Sequence, residues 1–128
     1  MKRATLLVPS GPIADPSKRH LWIVVSNINS NQKVIWFPVC SVKQGRYHDP
    51  SCILTKGEHP FLTKASSWVD YNFGMEFSAS EIKKKVKSGD YEFKGPIDVE
   101  VFDRVIAGMS KSTRVPMRLK NLLDAEKG

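Results

Sequence analysis

The sequence predicts a mainly β fold with C-terminal helices, an α+β chain built on a small β-barrel. Three observations carry that prediction. "HLWIVVS" (residues 20–26) and "KVIWFPVCSV" (33–42) are dense in branched and aromatic side chains and are joined by the polar "NINSNQ", the pattern of a hairpin. Turn-forming residues then recur at close spacing up to about residue 77, as between the short strands of a barrel. Beyond residue 78 the periodicity becomes helical. The 128 residues fit one domain, with a barrel core at about 4–77 and a helical part at about 78–128.

Taken in order, "ATLLV" (4–8) is a short first strand. "PSGPIADPSKR" follows, and its three prolines and one glycine make it a loop. The runs 20–26 and 33–42 are nearly all apolar, so both are expected to be buried on two faces. "KQGRYHDPS" is a basic, aromatic loop, "CILT" a short strand and "KGEHPF" a turn, leading to a third longer strand or pair in "SWVDYNFGMEF". Three to five strands are expected in all. "SASEIKKKVKSG" reads as a surface helix, capped by Ser78 or Ser80 and stopped by Gly89, with Ile82 and Val86 its only apolar pair. "PIDVEVFDRVIAGMS" is a stronger helix, with Val101, Phe102, Val105, Ile106 and Met109 on its core side. "VPMRLKNLLDAEKG" is a last short helix or docking tail.

The charge is the informative part of the composition. Twenty Lys and Arg against 13 Asp and Glu give a net charge of +7, which favours approach to a polyanion or an acidic protein. A soluble domain that happens to be basic is the plainer alternative. The longest apolar runs fall far short of the roughly 20 residues of a membrane-spanning helix, and the N-terminal apolar run is too short for a signal peptide. A cytoplasmic protein without a membrane partner is therefore expected, with Cys40 and Cys52 as reduced thiols.

Three chemistries are open to the candidate residues. Cys40, His48, Cys52 and His59 lie within twenty positions but lack the tight Cys pairs of a structural zinc site, so no metal site is expected. A Cys52 nucleophile near His48 or His59 is placed in a strand entering the core, where a thiol is poorly reactive. Metal-free RNA cleavage needs no cofactor. The 2′-hydroxyl attacks the adjacent phosphate, a base takes its proton, an acid protonates the leaving oxygen and a cation stabilises the phosphorane-like charge. Loops at the strand ends supply those types: "SKRH" (Ser17 to His20, with Lys18), "CSVKQGRYH" (Cys40 to His48) and "GEHPF". Arg19 and Arg46 are suited to bidentate phosphate contacts. Tyr47, Phe61, Trp68 and Tyr71 offer faces on which unpaired bases can stack. The plainer readings are His20 as a strand-end residue, Trp68 as core and the basic loops as solvated surface.

"KRHLWIVVSN", a spacer and "KVIWFPVCSV" resemble the core of the PemK/MazF-type toxins of toxin–antitoxin systems. "YHDPSCILTKGEHPF…SSWVDY" is similar to a divergent branch of that family with a Gly-Asp/Glu-His-Pro-Phe motif, and the two stretches cover roughly residues 10–75. The resemblance implies an SH3-like β-barrel, often a homodimer, that cuts single-stranded RNA without metal and is held inactive by an antitoxin. It places Arg19 near the family's active-site arginine, and Cys40 and Ser41 at its Thr/Ser turn. The chain departs from the family pattern in having Arg-His for the usual Arg-Pro, Cys40 for the hydroxyl-bearing Thr, and no N-terminal Gly-x-(Ile/Val)-(Trp/Tyr) opening. His59 then stands as the proton-transfer residue in place of the missing group, or only shapes a turn with Pro60. The favoured reading is a toxin-like endoribonuclease in which Arg19 stabilises the phosphate, His59 transfers protons and Ser41 and Ser67 position RNA. Lys18, Arg46, Tyr47, His48 and Tyr71 make further RNA contacts. The alternative is a non-catalytic SH3-like module that binds nucleic acid or a protein. Convergence of Arg19, Ser41 and His59 in one concave site separates the two.

Overall fold

In the computed structural model, which describes residues 1–11 and 18–127, seven strands form one curled half-barrel sheet with three helices, two of them C-terminal. Residues 12–17 of the expected Pro-rich loop, Ser17 among them, lie outside the described residues. The strands are β1 (Ala4–Pro9), β2 (Arg19–Val24), β3 (Lys33–Ser41), β4 (Ile53–Thr55), β5 (Ser66–Val69), β6 (Met75–Ser78) and β7 (Glu92–Pro96). The helices are α1 (Ala79–Ser88), α2 (Val99–Lys111) and α3 (Met117–Lys127). The sheet runs β4-β5-β3-β2-β1-β7, and β6 also pairs with β3.

The hairpin forms as its composition dictates. β2 and β3 pair from Leu21↔Val39 to Val24↔Trp36. Asn29 closes the link, its Oδ1 accepting from the backbone N–H groups of Asn31 and Lys33 at 2.9 and 3.0 Å. Its partners make β3 the seam of the sheet. One edge meets β2, while the other meets β6 through Lys33–Trp36 and β5 through Val39–Ser41. The expected third strand is thus two, separated by a 3₁₀ turn at Tyr71–Phe73 that carries the chain past Phe37. At Gly74, where that turn ends, a Cβ would lie 2.0 Å from the Phe37 ring.

Both sheet faces are covered. Side chains alternate along a strand, and on β2 and β3 both alternating sets are apolar. Leu21, Ile23, Ile35, Phe37 and Val39 pack with Val101, Phe102, Val105 and Met109 of α2 and with Leu119 and Leu123 of α3. Trp22, Val24, Val34 and Trp36 pack the other way, against Ala79 and Ile82 of α1. Helix α1 starts where Ser78 Oγ accepts the Glu81 N–H, and it ends at Gly89 in the left-handed region (φ 87°).

The expected helical half is interrupted. β7 lies between α1 and α2 and pairs with β1 at Ala4↔Pro96 and Leu6↔Phe93, with a shift between those pairs. Its "EFKG" holds few branched residues, so its strand character comes from pairing with β1 rather than from propensity. None of the described helices is long and apolar enough to cross a membrane.

Gly108 shows how closely α2 sits on the sheet. A Cβ there would lie 2.5 Å from the Tyr71 hydroxyl and 2.7 Å from Cys52 Cβ and the Ser51 carbonyl. Alanine gains about 1 kcal/mol of helix propensity over glycine, but overpacking of this kind costs about 1–3 kcal/mol and here also disturbs a buried hydrogen bond. Gly108→Ala is therefore expected to lower stability in urea unfolding. An unchanged or raised midpoint would contradict the close packing.

Candidate nucleic-acid interface

With both faces buried, the polar residues gather at the rim, where β2 begins and β3 ends. Ser41 pairs with Ser67 across β3 and β5. The β2–β3 pairing ends at Leu21↔Val39, and beyond it Arg19 on β2 and Ser41 and Ser67 on the β3–β5 pair line one cleft. Two loops wall it. After β3, a turn closed by the Arg46 N–H donating to the Lys43 carbonyl (3.1 Å) contains Gly45 at φ 75° and projects Lys43, Arg46 and Tyr47. The segment between β4 and β5 brings in Phe61, Thr63 and Lys64. The enclosed cleft is about 410 Å³, and its lining includes Lys18, Arg19, Lys43, Arg46 and Lys64 but no Asp or Glu among the described residues.

Aromatic groups share this lining. Trp68 donates its indole N–H to the Ser41 carbonyl at 3.2 Å. The Tyr47 ring meets Trp68 edge-on at 6.2 Å between centroids, and Arg114 lies 5.1 Å over Tyr47. His48 sits beside the cleft, 6.3 Å from Trp68. Tyr47 is 64% exposed and Phe61 38%, each with a cation against one side of its ring. Arg19 reaches across to Glu92 of β7 at 3.2 Å, and Lys94, which pairs with the same carboxylate, lies 3.8 Å over the Phe61 ring. Those contacts hold the Glu92 carboxyl below its usual range, Lys94 most strongly. An incoming phosphate must compete with Glu92 for Arg19.

His59 is not in the cleft. It is 4% exposed, and both ring nitrogens are engaged. Thr5 Oγ1 donates its single proton to the Gly95 carbonyl (2.6 Å), so His59 Nε2–H donates to Thr5 Oγ1 (3.1 Å) and Nδ1 accepts the Phe61 N–H (3.2 Å). Burial lowers the pKa, against a smaller opposite pull from the Lys94 backbone. This neutral imidazole ties β1, β7 and the segment carrying Phe61, Thr63 and Lys64 together. The expectation of proton transfer at His59 is corrected on these grounds: no nitrogen is free to meet a substrate.

The outer side of the same rim holds a second groove of about 450 Å³, mostly apolar, lined by Trp22, Pro38, Phe73 and Met75 with Asp70. His20 and Cys40 line both clefts. Burial, followed by Asp70, pushes the Cys40 thiol up to about 11, so it is no nucleophile at neutral pH. Desolvation raises the Asp70 carboxyl as well, opposed by the backbone N–H groups of Asn72 and Phe73.

The structure therefore brings Lys18, Arg19, Ser41, Arg46, Tyr47 and Ser67 into one cleft, sets His48 at its margin and leaves His59 and Tyr71 out. Tyr71 is fully buried and donates its hydroxyl to the Val105 carbonyl at 2.6 Å, so the expectation of an RNA contact there is corrected too. Sequence reasoning passed over Lys43 and Lys64, though both sit in loops next to strand ends, and it left His20 open between a loop residue of the cleavage chemistry and a plain strand-end residue. Among the described residues no three His, Cys, Asp or Glu side chains come together as a metal-binding group. No protein-family model and no curated protein matches the chain.

The His59 geometry has a checkable consequence. A histidine held neutral by burial binds fewer protons in the native than in the unfolded chain, so its contribution is intact above the ordinary value of 6.5 and is lost as the pH falls below it. His59→Ala is expected to lower stability by about 2–4 kcal/mol through a cavity and stranded partners, and to flatten the fall in melting temperature between pH 7.5 and pH 5. A variant as stable as the parent, with an unchanged acid-side slope, would remove His59 from this role.

Proposed function

We propose that the chain binds single-stranded RNA in the basic rim cleft and cleaves it without a metal. The observation that carries the binding step is the convergence of Arg19, Ser41 and Ser67 with four further cations in a cleft that no described carboxylate lines; His59, whose convergence with Arg19 and Ser41 was to mark an enzyme, is not among the lining residues. The sugar–phosphate backbone is the polyanion such a lining suits. The exposed Tyr47 and Phe61 favour a single strand, since a duplex hides the base faces they would stack on. In this reading Arg19 leaves Glu92 to hold the scissile phosphate, Ser41 and Ser67 orient it, and the lysines fix the flanking phosphates.

A toxin-like role belongs to the same proposal. Such a nuclease acts in the cytoplasm, slows growth when expressed alone, and is silenced by an acidic antitoxin drawn to the +7 chain. A homodimer on an SH3-like barrel would extend the RNA track. One observation favours a second reading, a module that binds RNA without cutting it: the histidine expected to transfer protons is locked in the core.

Salt dependence tests the binding step that both readings share. For single strands log K falls by about 0.7 per phosphate neutralised, so five lining cations allow a slope near −3.5 and a loss of up to about fiftyfold when salt is tripled. Lys43→Ala combined with Lys64→Ala is expected to reduce the slope by about 1.4. Fluorescence anisotropy with a labelled mixed-sequence RNA reads both quantities. Equal affinity for duplex and single strand, or a slope unchanged in the double variant, would count against this cleft.

A further inference from the structure

We infer that His20 is the general base of the rim cleft, taking the proton from the 2′-hydroxyl of the bound RNA; this rests on the RNA-binding reading above. The Ser10 hydroxyl has one proton and two lone pairs. Ser10 Oγ donates to the Val8 carbonyl (3.0 Å) and accepts from Trp22 Nε1–H (3.1 Å), which leaves one lone pair for the His20 contact. With the Ser10 proton on the Val8 carbonyl, His20 Nδ1, 3.1 Å away, carries a hydrogen and donates it. A neutral imidazole with its proton on Nδ1 has a bare lone pair on Nε2, and no described residue bonds that nitrogen.

The contrast with His59 is chemical. His59 donates through Nε2 and accepts through Nδ1, so it is saturated within the protein. Among the described residues His20 is anchored through one nitrogen, by Ser10, and His20 itself lines both the cationic cleft and the apolar groove. An RNA strand crossing the rim would lay its phosphates on the cationic side and a base against the apolar side, with His20 at the boundary. Among the described residues the charged and titratable neighbours there include Lys18 before β2, Arg19 at its start, Lys43 after β3, Cys40 on β3 and Asp70 after β5. Burial first, then Lys18 and Lys43, lower the His20 pKa, which keeps the base form populated at neutral pH. Serine anchors the ring where a carboxylate would have raised that pKa and favoured the protonated form.

The reaction balances without a co-reactant beyond water. His20 Nε2 takes the O2′ proton as O2′ bonds to phosphorus, the P–O5′ bond breaks, and O5′ leaves with a proton from water. The products are a 2′,3′-cyclic phosphate and a 5′-hydroxyl, and the imidazolium returns its proton to solvent.

The test uses the full chain, EDTA and a mixed-sequence single-stranded RNA, with binding and cleavage measured on the same samples. His20→Asn keeps an N–H for Ser10 and removes Nε2. Wild type is expected to bind and cut, leaving cyclic phosphate ends. His20→Asn should bind within about threefold and cut at least about a hundredfold more slowly, the typical scale of a general base. The wild-type rate should fall with acid, half-maximal below the ordinary histidine value of 6.5. That profile stands as the test if the variant does not fold. Cleavage by His20→Asn at the wild-type rate, or a rate flat from pH 5 to 8, would overturn the assignment while leaving RNA cleavage in place. Binding without cleavage by the wild type would overturn it while leaving the RNA-binding cleft. Absence of binding would remove both.

Discussion

A sheet buried on both faces has only its ends to offer a ligand, and that constraint shapes the whole molecule. β2 and β3 are apolar on both alternating sets, and helices cover each side. The polar residues that remain on these strands sit where the strands start and stop. Arg19 and His20 open β2, and Cys40 and Ser41 close β3. Because neighbouring residues point to opposite faces, a site at the strand ends draws on both faces at once. A cationic cleft and an apolar groove therefore share the His20–Cys40 wall.

The rim depends on supports that never meet a ligand. His59 acts through Thr5 and Gly95, fixing the segment that carries Phe61, Thr63 and Lys64 against β1 and β7. Asp49 does the corresponding work beneath the Tyr47 loop. It accepts from the Ser51 N–H and hydroxyl and, at 2.6 Å, from the hydroxyl of Ser112 at the end of α2. Those bonds, with Arg114, hold its carboxyl below the usual range despite burial. The C-terminal helices thus cover the core and anchor a loop of the cleft.

The core was legible because it obeys simple rules. The two apolar runs could only be buried, the Asn-rich link could only turn, and α2 announced its inner side through Val101, Phe102, Val105 and Met109. β7 was not legible, since its pairing with β1 is a tertiary fact that its own residues do not encode. The cleft was half legible. Residue type and loop position pointed to Arg19, Arg46 and Tyr47, while Ser41 and Ser67 entered through the family resemblance. The roles of the two histidines turn on which hydroxyl stands next to each ring and where that hydroxyl sends its own proton. Residues 5 and 59 are far apart in the chain, and nothing in "GEHPF" specifies Thr5. Ser10 and His20 are nearer, but their contact needs the β1–β2 register, which the sequence leaves open.

The most direct test of the central claim is a crystal structure with a short single-stranded RNA whose 2′-hydroxyl groups are methylated, so that it binds but is not cut. The account predicts a phosphate on Arg19 and Lys43, a base against Tyr47 or Phe61, and the strand passing over the rim beside His20 Nε2. RNA lying instead along the lysines of α1, Lys83, Lys84 and Lys87, with the rim cleft empty, would contradict it.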